Sequence, residues 1–421
     1  MTDSQKQGLR PRRGGSKLRE VVKGALLSIV TIIICLGALE IVLRMLGEKG
    51  EGYYHPVADN ILHHKFKPFS TGRLRTSELD TDYNISSLGL RDKEYSVQKP
   101  ANTFRILMLG DSFTEGDGVF SNETFSKRLE EKLQTRQGAM KFEVINAGVG
   151  SYSSLLEYLY LKHCGLRFNP DLVILNFDLS DVYDDISYTA LARFDENGIP
   201  VAVRSEPEQF GLKGPMAAIK DWLKNNTWLY SFIYTRISRQ RELRNRERDF
   251  IAGDIHRNKY AMLEETYVDS DSNWALTHKY LLLTRDLLKE KGIDFWMTVY
   301  PYGLQVHPKE WNAGRKFWHL KQDTVYSTWP QEQLERWATG NNITIINLCP
   351  DFKERSKTLF PLYWDLNGHW VAAGHQLVAD VLYKRLQPYL HEKEAAPSHA
   401  AVGEVASFSG VHRTHAIPSK H

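Results

Sequence analysis

"FRILMLGDSFTEGDGVF", residues 104–120, passes from an unbroken apolar run into a turn of Gly, Asp and Ser. A run without polar alternation reads as a strand buried on both faces, as a parallel sheet requires. The turn sets Ser112 between that strand and a helix, where a serine is either a helix cap or a nucleophile. Four further strand-like runs lie at 142–148, 170–177, 293–301 and 342–348. Helical patterns separate or follow them at 123–136, 153–168, 274–292 and 374–390. Such alternation predicts βαβ units, a parallel sheet and helices on both faces: a three-layer, flavodoxin-like α/β fold. Ligands of such sheets sit at the C-terminal ends of the strands.

The chain has 421 residues, 42% hydrophobic and 25% charged, enough for a large core. Its net charge of +3 is too small to point to nucleic acid. Residues 1–23 carry seven Lys/Arg against two acidic residues and read as a basic cytoplasmic segment. Residues 24–46 follow as an apolar run, charge-free from Gly24 to Leu39, and read as a transmembrane anchor. A removed signal peptide is the competing reading, with Cys35 and Gly37 as a weak small-residue site. The basic flank predicts a single pass, with the rest of the chain outside the cytoplasm.

Residues 47–100 read as an extended connector, in which His63 and His64 are expected to be solvated loop residues. The domain proper is expected over 101–390, with an insertion at about 186–273. Within that insertion "IKDWLKNNTWLYSFIY" (219–234) is apolar enough for a lid or a partner surface, and 236–250 reads as a solvated, charge-laced helix. Residues 391–421 hold few large apolar side chains and are expected to be a disordered tail. Of three cysteines, only Cys164 and Cys349 lie where a disulfide could join them.

Four segments meet at the predicted sheet edge: "GDSFTEG" (110–116), "NAGVGSYSS" (146–154), "NFDLSDVYDD" (176–185) and "YWDLNGHW" (363–370). In their order and spacing over residues 103–390 they resemble the SGNH (GDSL) hydrolase superfamily. That resemblance implies serine esterase, lipase, carbohydrate deacetylase or O-acyltransferase chemistry. The anchor ahead of the domain is similar to branches that act on envelope or exported polysaccharides. Ser112 then stands as nucleophile and His369 as the base that takes its proton and returns it to the leaving group. Gly148 and the Ser112 backbone stand as oxyanion donors.

Two positions depart from the family pattern. An Asn-Asp pair is usual in the third segment, and Ser180-Asp181 stands here, so a shorter hydroxyl replaces an amide donor. The acid expected two or three residues before the histidine is replaced by Asn367 and Leu366. Asp365, four residues before, is the candidate acid, with Asn367 as an alternative orienter. Asp111 is expected to brace the turn, and His375 to be a surface or packing residue. Trp296, Tyr300, Tyr302 and Trp370 lie near strand ends, where sugar stacking competes with core packing.

The motifs call for no metal and no organic cofactor. The expected activity is a membrane-anchored, extracytoplasmic serine esterase or O-acyltransferase on glycan esters, through an acyl-serine. The rivals are a lipase or thioesterase on lipid esters, and a non-catalytic SGNH-like subunit of an envelope polysaccharide machine. Substrate esters, the membrane and envelope partners are the expected company.

Overall fold

The computed structural model describes residues 14–46, 56–76, 78–205, 215–234, 236–237, 271–318 and 320–395. Elements are named in chain order: helix α1 (Gly14–Leu46) and the antiparallel pair β1 (Thr71–Arg75) and β2 (Asp80–Asn84), then β3 (Thr103–Gly110), α2 (Ser112–Glu115) and α3 (Phe125–Gln134). Next come β4 (Lys141–Asn146), α4 (Ser154–His163), β5 (Leu172–Phe177), α5 (Asp181–Thr189) and α6 (Pro215–Asn226). The last are α7 (Asp271–Glu290), β6 (Asp294–Val299), β7 (Thr344–Asn347) and α8 (Ala372–Ala395).

The five predicted strands form one parallel sheet in the order β7-β6-β5-β3-β4. Ile106, Leu107, Met108, Val173, Ile174 and Leu175 are fully buried, the consequence of covering both faces. α3 packs on α8 and on β4, while α4 packs on α5 and α7, giving three layers. Arg105 is the one charged side chain inside β3. Its guanidinium donates to Glu143 (2.7 Å) and to the carbonyls of Ser96, Val97 and Phe168, so no donor is left without an acceptor in the dry interior. All five strands end on one edge, where Gly110 pairs with Asn176 across β3 and β5.

Several expectations are revised. The connector is folded: β1 and β2 pair, and Leu74, Leu79 and Tyr83 form a small second core with Trp364. His63 and His64 are buried, not solvated. They bond to each other through Nδ1 (2.9 Å), and His64 Nε2 meets the Gly150 carbonyl (2.8 Å) among the rings of Tyr152 and Tyr188. Burial lowers the His64 pKa to about 4, so this pair is neutral. The closing helix runs on to Ala395, past the expected boundary at 390. The rest of the tail, and nearly all of the charge-laced stretch 236–250, lie outside the described residues. Cys164 and Cys349 are both free thiols.

Arg19–Met45, within α1, is long and apolar enough to cross a bilayer. At 1.5 Å per residue its 27 residues span about 40 Å, against a hydrocarbon core of about 30 Å.

Candidate active site

β3 ends at Gly110, whose φ of +151° and lack of a Cβ let Thr114 pack onto it. An added Cβ would lie 2.1 Å from the Thr114 hydroxyl. The Asp111 carboxylate accepts from the Phe113 N–H (2.9 Å) and caps the turn that opens α2. Ser112 is the first residue of α2 and half-buried, and no acceptor among the described residues engages its backbone N–H.

The Ser112 hydroxyl lies 2.7 Å from His369 Nε2. His369 comes from a tight loop: its carbonyl accepts from the Trp364 N–H, and Gly368 turns there with a φ of +86°. The Phe113 ring lies against the imidazole, centroids 4.6 Å apart. On the other side His369 Nδ1 lies 2.5 Å from Asn367 Oδ1. That amide is itself oriented, because Asn367 Nδ2 donates to Asp117 Oδ2 (3.3 Å), which can only accept. Nδ1 therefore carries the ring proton, and Nε2 presents its lone pair to Ser112. The Asp117 carboxylate lies 3.5 Å from His369 Nδ1, and its other oxygen accepts from the Tyr83 hydroxyl (2.7 Å).

Asp365 is not part of this chain of contacts. Its carboxylate accepts from the N–H groups of Asn312 (2.7 Å) and Ala313 (3.1 Å), capping a short helix that starts there. The expected acid is thereby corrected: Asn367 touches the histidine and Asp117 stands behind it. Asp117 follows the serine by five residues, and no motif spacing marks it.

The expected oxyanion donors are also placed differently. Gly148 donates its N–H to Asn146 Oδ1 (3.0 Å), and a Cβ there would fall 2.2 Å from the Glu115 nitrogen. Its role in the resting structure is close backbone approach to α2. Ser180 opens α5, gives its N–H to Asp178 Oδ1 (2.6 Å), and makes no hydrogen bond to Ser112 or His369. Asp178 in turn accepts from the Tyr300 (2.6 Å) and Tyr302 hydroxyls. Tyr300, Tyr302 and Trp370 are buried, and Trp296 packs on Tyr389, so these rings are core and not sugar platforms. His375 is buried behind the site and accepts the Phe125 N–H at the start of α3 (3.2 Å).

The connector supplies what the motifs leave out. Arg91, buried, donates to the carbonyls of Glu115, Gly116, Val119 and Asp82, holding the loop that carries Asp117. Glu78 accepts the N–H groups of Leu366 and Asn367, each at 2.9 Å. Burial, with Asp117 alongside, pushes the Glu115 carboxyl up to about 8, while its Oε2 accepts from the Gly150 N–H (2.6 Å). A groove of about 300 Å³ runs beside the site, lined by Asp80, Phe120, Glu123 and Trp364. Among the described residues no three His, Cys, Asp or Glu side chains are grouped to hold a metal.

No protein-family model matches the sequence, and no curated protein matches it. Solved structures resemble it at low identity. An acetyl xylan esterase is 16% identical, covering 67% of this chain and 100% of its own, with a TM-score of 0.36. An acetylxylan esterase from Geobacillus stearothermophilus, in a catalytic-mutant form, is 14% identical over 68% of this chain and 94% of its own, with a TM-score of 0.36. A two-domain esterase active on acetylated mannans is 14% identical over 69% of this chain and 49% of its own, with a TM-score of 0.35. By its own sheet order, with a serine after the first sheet strand and a histidine ahead of the last helix, this chain has an SGNH-hydrolase-like α/β fold.

Proposed function

We propose that the chain is a serine esterase or O-acyltransferase acting on esters of a glycan, held at a membrane by α1 with its catalytic domain outside the cytoplasm. The observation that carries this reading is the 2.7 Å contact between Ser112 Oγ and His369 Nε2. A serine hydroxyl is a poor nucleophile until a base accepts its proton in the step that forms the new bond. Ser112 Oγ attacks the ester carbon as His369 Nε2 takes its proton. The imidazolium is then stabilised by the Asn367 oxygen and by the Asp117 carboxylate. Collapse breaks the bond to the alcohol, which leaves with the proton from Nε2. Water or a sugar hydroxyl then gives its proton to His369 and its oxygen to the acyl carbon, and Ser112 is regenerated.

The groove combines apolar side chains, Val119, Val371, Ala372 and Ala373 among them, with two rings and two carboxylates. The exposed Phe120 ring is a face on which a sugar could stack, and Glu123 Oε1 is an acceptor for a hydroxyl, while Asp80 is paired with Arg73. Its loops flank the site directly: Gly118 and Phe120 follow Asp117, and Trp364 and Val371 bracket His369.

Fluorophosphonate labelling of the full chain tests the mechanism. Wild type is expected to label, and Ser112→Ala to lose all labelling while folding normally. The non-catalytic reading is favoured by one observation, the engagement of the Gly148 N–H with Asn146. Absence of serine-dependent labelling in folded wild type selects that reading instead.

A further inference from the structure

α1 carries two charged side chains in its otherwise apolar C-terminal part, Glu40 and Arg44. A charge placed there is costly in lipid and needs a partner. Both find theirs in one place. The Glu40 carboxylate accepts the N–H groups of Trp228 (3.0 Å) and Leu229 (2.8 Å), at the start of the helical residues 228–234. Arg44 donates to the Asn226 carbonyl (3.0 Å) at the end of α6, and its guanidinium lies 6.0 Å from the Trp228 ring. The anion meets a helix N-terminus and the cation a helix C-terminus, the favourable sign at each end. The two also bond to each other one turn apart on α1 (2.7 Å). Together they clamp the corner between α6 and the following helix onto α1.

Among the described residues, that corner has an apolar side with no partner. Met216 (68% exposed), Ile219 and Trp222 (60%) recur at three-residue steps along α6, and Ile233 and Ile237 are exposed at a four-residue step on the next helix. The same stretch holds Trp228, Tyr230, Phe232 and Tyr234, the residue types of membrane interfaces. Ile41, Val42 and Met45 of α1 are exposed at the level of the clamp, so the apolar surface continues from span to corner. The charge-free part of α1, residues 24–39, measures about 24 Å, so with Lys23 at one boundary Glu40 falls a few ångströms inside the far boundary of a hydrocarbon core of about 30 Å.

We infer that residues 215–237 are a second membrane element, a helical corner lying in the lipid–water interface with its apolar side in phospholipid. It rests on the reading of α1 as a retained span. The corner fixes how the catalytic domain sits over the bilayer, a constraint that one helix alone does not impose.

Fluorescence quenching on the full chain tests this. Cys35, Cys164 and Cys349 are changed to Ala, one cysteine is introduced (Ile219→Cys, Ile32→Cys or Lys357→Cys), and an environment-sensitive dye is attached. The protein is reconstituted into phosphatidylcholine–phosphatidylglycerol vesicles. A lipid with a nitroxide high on the acyl chain is expected to quench the dye at 219 about twofold, while aqueous iodide quenches strongly only at 357. Adding Glu40→Ala is expected to raise iodide quenching at 219 and leave 32 in lipid. Iodide quenching at 219 equal to that at 357, with 32 still in lipid, overturns the corner alone. Protection of 219 from both quenchers overturns it in favour of a protein partner. Loss of lipid quenching at 32 overturns the span, and the corner with it.

Discussion

An amide, and not a carboxylate, touches His369, which divides between two residues the work usually given to one acid. In the proposed reaction Asn367 would fix the tautomer, and Asp117, 3.5 Å from Nδ1, would supply the charge that an imidazolium needs. Asp117→Asn is therefore expected to lower kcat by about 10²–10⁴-fold with little change in KM. Asp365→Asn, which weakens only the cap at Asn312, is expected to cost about 0.5–2 kcal/mol in thermal unfolding and to leave kcat within a few-fold. A kinetic comparison of the two variants on an activated ester checks the assignment; the reverse order of effects would return Asp365 to the site. Ser112 and His369 were legible in the sequence because each sits in a motif whose spacing is set by a strand end or a helix start. Asp117 was not legible. Its partnership with His369 depends on how the 364–369 loop folds over it, and loop shape is not written in residue spacing.

At the scale of elements, all five sheet strands were legible: β3 and β5 as unbroken apolar runs buried on both faces, and β4, β6 and β7 as shorter, partly buried runs set between helical patterns. The β1–β2 pair was not. Its burial alternates residue by residue along β2, it is short, and it builds a core of only three side chains with Trp364. The hydroxyl of Tyr83 and the carboxylate of Glu78 reach the loops that carry Asp117 and Asn367 from there. A second hidden element is the close approach of the loop after β4 to α2. Gly148→Ala would set a Cβ 2.2 Å from the Glu115 nitrogen, and backbone cannot yield as a side-chain tip does. The variant is expected to lose about 1–3 kcal/mol by denaturant unfolding and to lose labelling of Ser112 in proportion to the displacement of α2. Unchanged stability would show that the loop is free to move away.

Over the whole molecule, buried carboxyls set the pH response. Burial, with Asp117 alongside, pushes Glu115 up to about 8. Asp185 is pushed up to about 7 mainly by burial. Glu157 and Asp181, buried without hydrogen-bond partners among the described residues, are raised well above the usual carboxyl range, Glu157 by burial and the nearby Asp111, Asp181 by burial and the nearby Glu157. Each of these keeps its proton in the folded chain at a pH where the unfolded chain has lost it, so folding stability falls as pH rises toward the folded value. His64 and His375 act oppositely, but only below their unfolded value of about 6.5. Between pH 6.5 and 8 the carboxyls act alone, and Tm is expected to fall, each group contributing at most about 1.4 kcal/mol per pH unit. Replacing Glu157 by Gln and Asp181 by Asn should flatten that slope; a Tm that rises over the same interval would mean that these groups ionise inside. One contact described above, Glu78 to the backbone of Leu366 and Asn367, joins positions 288 and 289 residues apart. The histidine loop is thus held by a segment that precedes the whole parallel sheet in the chain. The contact between Ser112 and His369 is therefore expected to form late in folding, because its geometry waits on a loop closure that spans the whole domain.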